Sequence, residues 1–187
     1  RTFSSAASDV YKRQEYNTGE KAFIIENTFK PKGGYCKIYG QSNPQKLWSD
    51  VEAALAKGQK IMLFTASQKL TSTWSTQTLE ETIKNKFPHL KVMRADAETV
   101  ADKERLEYKC FNNFNEFIDR EKPDVFLVSP VLETGIDITT KHFDSYWGIN
   151  WGITSVNSFS QAMARIRTKI PRYIWSSNNF IGRVGNG

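Results

Sequence analysis

Residues 124–129, Asp-Val-Phe-Leu-Val-Ser, place four consecutive apolar side chains between Lys122-Pro123 on one side and Ser129-Pro130 on the other. So short a run, β-branched and aromatic and closed by turn residues at both ends, predicts a strand buried on both faces, as inside a parallel sheet. Working outward, comparable runs occur at 60–65 (KIMLFT), 90–93 (LKVM), 145–150 (SYWGIN) and 172–175 (RYIW). Two more, 22–26 (AFIIE) and 35–39 (YCKIY), precede them, separated by the turn signal at 31–34. The intervening segments have helical spacing. In 44–57, Leu47, Val51, Ala54 and Leu55 fall on one stripe, and Gly58 is placed to end the helix. Trp74, Leu79 and Ile83 share a face within 67–86, while 100–108 and 113–120 read as charge-rich helices and 156–168 as another. Strand alternating with helix throughout predicts an α/β fold, a parallel sheet with helices on both faces.

Bulk properties narrow the function classes. A chain of 187 residues suits one domain with its own core, and 39% hydrophobic with 25% charged residues is a globular rather than a disordered balance. No apolar run approaches the roughly 18–20 residues of a membrane span, which predicts a soluble piece. The two cysteines, Cys36 and Cys110, are far apart and form no CxxC, which argues against a thiolate zinc site and leaves reduced thiols as the expectation. A formal charge of +6 suits a phosphate-rich partner. There is no GxSxG elbow, and neither His89 nor His142 is placed as a general base, which argues against a serine-type hydrolase.

In a parallel sheet, ligands bind at loops after the carboxyl ends of strands. Three loops stand out. Thr65-Ala66-Ser67 follows a buried strand and precedes a helix, so its hydroxyls and N–H groups suit a phosphate; an ordinary N-cap is the competing explanation. In 129–137 (SPVLETGID), Gly135 permits a close backbone approach, Thr134 suits a nucleic-acid phosphate, and Asp137 is placed to orient the loop or to pair with an arginine. The alternative is a plain connection with a buried aspartate. In 161–167 (QAMARIR), expected on a helix, Gln161 and Arg165 are four apart and share a face, with Arg167 rotated away. Arginine suits phosphate because its planar fork stays charged and binds bidentately, although a solvated basic helix end accounts for the same residues.

Taken together, the order and spacing of these loops resemble motifs IV, V and VI of superfamily 2 helicases, over residues 60–175. The segment 129–167 is similar, more narrowly, to the helicase portion of plasmid and phage replication proteins, notably the cyanobacterial plasmid replication family. Phe143-Asp144, Trp147-Gly148-Ile149, Ser158, Gln161 and Arg165 carry that likeness. The resemblance implies a second RecA-like domain of an ATP-dependent helicase in a cytoplasmic, bacterial or phage replication setting. Thr65, Ser67, Ser129 and Thr134 would then contact nucleic acid, and Gly135, Asp137, Gln161 and Arg165 would face the nucleotide. Arg165 would be the arginine finger, with Gln161 and Arg167 beside it. Its implied partners are DNA and a first RecA-like domain, which would hold most of the ATP and Mg²⁺; no membrane is implied. The chain departs from the common pattern: Ala164 stands where glycine is usual, and the second arginine, Arg167, lies six rather than seven positions after Gln161.

No GxxxxGK[ST] loop is present; Thr18-Gly19-Glu20-Lys21 lacks the first glycine and the following hydroxyl residue. No strand ends in an Asp-Glu pair, and no residues are assigned to a metal. The fragment is therefore expected to hydrolyse no ATP by itself. Residues 4–14 (SSAASDVYKRQ) resemble translated sequencing-adapter read-through. Residues 1–14 are accordingly set aside, 15–178 is expected as the RecA-like domain and 179–187 as a loop or truncated tail. The rival function is a non-catalytic nucleic-acid-binding or scaffold module with a degenerate RecA-like fold, in which Trp147 or Trp151 could stack on bases if not needed in the core.

Overall fold

A computed structural model describes residues 34–67, 72–111, 113–132 and 137–177. The strand at 22–26, the adapter-like segment, the tail, Thr134 and Gly135 lie outside the described residues. Six strands, β1 (Cys36–Tyr39), β2 (Ile61–Ala66), β3 (Val92–Ala95), β4 (Val125–Val128), β5 (Ser145–Asn150) and β6 (Arg172–Ser176), form one sheet in the order β1-β6-β5-β2-β4-β3. Every pairing is parallel, as the alternation of strand and helix predicted.

Successive strand residues point to opposite faces, so a strand apolar at every position needs cover on both. In β2, Met62 and Phe64 join one core cluster while Ile61 and Leu63 join the other. The first cluster takes in Phe114, Phe117 and Ile118 of α4 (Phe114–Glu121) and Phe159 and Met163 of α5 (Val156–Met163). Its counterpart takes in Leu47, Val51 and Leu55 of α1 (Gln45–Ala56) and Leu79 and Ile83 of α2 (Thr76–Lys86). Three layers result, the α/β architecture expected of a RecA-like domain. The stripe read in α1 is the one buried, and Gly58 follows it with φ +73°, where glycine is unstrained.

Three helices differ from their expected bounds, each for a local reason. The helix expected across 67–86 begins only at Thr76, because the Ser75 hydroxyl accepts from the Thr78 N–H and starts it there. Trp74 lies in the preceding turn and packs edge-on against Trp48. The helix expected at 100–108 is instead a short one, α3 (Ala97–Ala101), followed by a 3-10 segment (Leu106–Phe111). Asp96 forms a capping box with Thr99 and draws the start forward; Asp102, extended, ends the helix and accepts from the Glu104 N–H. Finally, the helix expected over 156–168 stops at Met163. There the Arg172 guanidinium donates to the carbonyls of Met163 (2.9 Å) and Ile166 (2.6 Å), and Tyr146 Oη donates to that of Ala162 (3.1 Å).

Candidate functional site

A cleft of about 850 Å³ opens at the carboxyl end of the sheet. Ala66 at the end of β2 with Ser67 after it, Asp96 after β3 and Ser129 after β4 form one part of its wall. The starts of two helices form another: Ser75 and Thr76 of α2, and Ser155 and Ser158 of α5. Both helices have serine caps, the Ser155 hydroxyl accepting from the Ser158 N–H at 3.1 Å. Such a wall is rich in hydroxyls and in helix starts, where backbone N–H groups carry partial positive charge. Val131 and Ile153, 41% and 39% exposed, add apolar surface to it.

The starts of α2 and α3 are joined by a charged cluster that sequence reading passed over. Arg94 lies within β3 and is 4% exposed. It meets Glu80 of α2 (2.6 Å), Asp96 (2.5 Å) and Glu98 of α3 (2.8 Å). Asp96 also accepts from the Thr76 hydroxyl (2.6 Å) and from the N–H groups of Glu98 and Thr99. Burial alone would raise the Asp96 carboxyl; the bonds from Thr76, the Thr99 N–H and Arg94 outweigh it and hold the carboxyl below its ordinary range. One carboxylate thereby joins the start of α2 to the start of α3. The strand expected at 90–93 runs instead from Val92 to Ala95 and takes Arg94 inside; the available signal was an arginine next to an apolar run with an aspartate two residues on, since a buried charge requires a partner.

A second assembly joins the other two sequence motifs. Ile138 and Ile166, both buried, form a parallel bridge, with Ile138 N–H donating to the Arg165 carbonyl (2.9 Å) and Arg167 N–H to the Ile138 carbonyl (2.8 Å). Arg167 Nε donates to Asp137 Oδ1 at 2.5 Å, so Asp137 does pair with an arginine. On the far side of the segment stands Asn115 of α4, bonded to residues 137, 139 and 140.

Among the sequence-selected residues, Ser67 and Ser129 line the cleft. Thr65 does not: it is 1% exposed and its hydroxyl donates to the Trp74 carbonyl at 2.7 Å, closing the turn before α2. Gln161 is exposed on α5, whereas Arg165 lies beyond its end, half-buried, so the shared helical face expected of the two is corrected. Helix cannot continue through Arg165 while Ile166 serves the bridge to Ile138. Asp137, Arg165 and Arg167 gather at that bridge and are not among the cleft-lining residues. Trp147 is 2% exposed and stacks on Tyr173 at 4.0 Å, and Trp151 packs edge-on against Trp175, so both indoles have intramolecular partners. His142 bonds the Pro123 carbonyl through Nε2, and exposed His89 sits edge-on to Phe87. Among the described residues, no group of three or more His, Cys, Asp or Glu is placed to hold a metal ion, and no helix is long and apolar enough to cross a membrane.

No protein-family model matches the chain. Among solved structures it is similar to the Hef helicase domain of Pyrococcus furiosus (18% identity, 71% of this chain and 24% of that one, TM-score 0.38). It is also similar to the helicase Lhr of Mycobacterium smegmatis, solved with ssDNA and AMP-PNP (14% identity, 80% of this chain and 20% of that one, TM-score 0.49). A third likeness is to the C-terminal part of the Fun30 ATPase domain (14% identity, 72% of this chain and 41% of that one, TM-score 0.46). In sequence, the chain is 37% identical over 173 residues to an uncharacterized protein of Picosynechococcus sp., a match that spans 89% of this chain and 17% of that protein's length.

Proposed function

We propose that this chain is the second RecA-like domain of an ATP-dependent DNA helicase or translocase acting in plasmid or phage replication. The observation that carries the reading is where its motifs fall on the fold. Ser67 and Ser129 come to one cleft at the carboxyl end of a parallel sheet, while the next two motifs are stitched together through Ile138 and Ile166. Nucleic acid would lie in the cleft, its phosphates received by the hydroxyls of Ser67 and Ser129 and by the N–H groups at the starts of α2 and α5. Thr134 would extend that contact.

The nucleotide would be bound between this domain and a first RecA-like domain, which would supply the phosphate-cradling loop and the Mg²⁺ ligands. Gln161 and Arg165 would face it. Arg165 follows the end of α5 and its carbonyl accepts from Ile138, so its backbone is fixed; the residue is half-buried, with its Nε shielded from solvent. A positioned arginine that stabilises charge developing on a phosphoryl group contributes about 10³–10⁵ in rate where it has been measured. Arg167 takes a different part, as the partner of Asp137.

Two measurements on the full-length protein test the reading. Arg165→Ala should abolish DNA-stimulated ATP turnover while nucleotide binding persists; unchanged turnover sinks the finger assignment. Single-stranded DNA binding should weaken steeply as salt rises, as phosphate contacts require. Salt-dependent binding without any turnover in the parent protein would instead favour a non-catalytic nucleic-acid-binding module.

A further inference from the structure

The segment 137–140 has hydrogen-bonding edges on two sides, as any extended stretch does. On one side Ile138 makes both of its main-chain bonds to 165–167, in the pattern of a parallel strand pair. Facing the other way are the Asp137 carbonyl and the Thr139 N–H, the groups a second parallel strand would engage. In place of a strand stands one side chain. Asn115 Nδ2 donates to the Asp137 carbonyl (2.9 Å), and Asn115 Oδ1 accepts from the N–H groups of Thr139 (2.8 Å) and Thr140 (3.1 Å). A carboxamide has one donor side and one acceptor side, as a peptide unit does, so Asn115 acts as a one-residue neighbouring strand. One helical turn further along α4, Asp119 accepts from the Thr140 hydroxyl. The helix that presents both side chains is anchored in the core through Phe114, Phe117 and Ile118.

We infer that Asn115 is a positioning residue: its carboxamide fixes the register of 137–140 against 165–167 and so sets Arg165 and Arg167 in place. The inference rests on the helicase reading for its consequence, since it is there that the placement of Arg165 matters to turnover. Asn115 itself touches neither nucleotide nor nucleic acid in that reading. It acts through Ile138, whose carbonyl holds the Arg167 N–H and whose N–H holds the Arg165 carbonyl. A one-residue slip would point Ile138 out of the core, where it is fully buried, and would move Asp137 away from Arg167.

Hydrogen exchange on the 187-residue chain and steady-state turnover by the full-length protein test this together, with Asn115→Ala and Asn115→Asp compared to the parent. The alanine variant loses all three main-chain bonds and the longer one from the Thr139 hydroxyl (3.4 Å). Exchange at the Thr139 and Thr140 amides should quicken by roughly tenfold to a hundredfold, and the Arg167 amide across the bridge should quicken with them. Turnover should fall about tenfold in kcat, with KM for ATP within about twofold, the signature of a displaced transition-state contact. The aspartate variant keeps an acceptor oxygen for the Thr139 and Thr140 N–H groups but sets a carboxylate oxygen against the Asp137 carbonyl in place of the donated bond, so it should fall short of the parent in both measurements. Quickened exchange confined to Thr139 and Thr140, with the Arg167 amide unchanged, overturns the inference, because the clamp is then purely local. Unchanged kcat in Asn115→Ala overturns it as well, provided Arg165→Ala is inactive in the same assay. If Arg165→Ala is fully active, the finger assignment fails and the expected effect on kcat falls with it, while the exchange measurement still decides the clamp.

Discussion

Gly148, in the middle of β5, lies directly beneath α5, and replacing it with alanine should measurably loosen the helix. A Cβ at that position would stand 2.6 Å from Met163 Sδ and 2.8 Å from Phe159 Cζ, against an ordinary contact near 3.5–4.0 Å. Relief therefore needs movement of about an ångström. Met163 can supply part of it by changing rotamer, but Phe159 is 5% exposed and its ring is held tilted against Phe64. Overpacking of this kind costs about 1–3 kcal/mol, while removing a glycine from the unfolded chain returns about 0.4–1 kcal/mol. The difference spans about 0–2.6 kcal/mol, and its midpoint of about 1.3 kcal/mol is equivalent to a fall of roughly 3–5 °C in melting temperature for a domain of this size. Thermal and urea unfolding followed by circular dichroism measure it. Coupling Gly148→Ala to Met163→Ala should restore part of the loss, since that truncation empties the space the new methyl needs, and the two effects should then be non-additive by at least about 0.5 kcal/mol. A stabilising Gly148→Ala, or strict additivity with Met163→Ala, refutes the account of how α5 is seated.

Other expectations follow from the charged groups and the thiols. Arg94→Met should destabilise by about 3–5 kcal/mol in a urea melt, because it leaves buried Asp96 and its neighbouring carboxylates without a cation; a cost below about 1 kcal/mol means the cluster does not hold the helix starts. Asp96 is held below its ordinary pKa, so its contribution is complete above the unfolded value of about 4 and is lost as pH falls through the folded one. The parent should thus lose stability below that pH more steeply than Asp96→Asn, and parallel pH profiles count against this. The Asp137–Arg167 pair, with its side chains 54% and 60% exposed, should show a coupling energy under about 1 kcal/mol in a double-mutant cycle on stability. Exposed Cys36 should react rapidly with a thiol reagent, whereas Cys110, buried and with its thiol pushed up to about 12, should react only on unfolding.

The sheet was readable because each of its buried strands is a short apolar run, and a run apolar on both faces has few homes other than a parallel sheet. For the same reason α1 was legible residue by residue, its stripe of Leu47, Val51, Ala54 and Leu55 being the buried one. Helix boundaries were less so, because they were decided by contacts distant in sequence. Arg172, from the next strand, takes the last carbonyls of α5, and Ile166 is recruited by Ile138; nothing local to 156–168 announces either. The site divides the same way. Ser67 and Ser129 were identifiable from their place after strands, while the inward turn of Thr65 toward Trp74 depends on where the following turn closes. Asn115 carries no sequence signal, since an asparagine in the first turn of a charged helix is ordinary, and only the approach of 137–140 gives it work.

The strand order also bears on how the domain is made. β6 sits between β1 and β5, so the first and last described strands are neighbours, and Trp175 Nε1 bonds the Gln41 carbonyl across 134 positions of chain. During synthesis the central strands β2, β3, β4 and β5 emerge in time to pair with one another, but β1 must wait, unpaired with β6, until the last of them has left the ribosome. Closing so long a loop comes late and adds to the barrier, as non-local pairings do. A chain interrupted before Arg172 would therefore retain the four central strands and leave β1 without its partner β6, an unpaired edge of the kind that invites association with other chains.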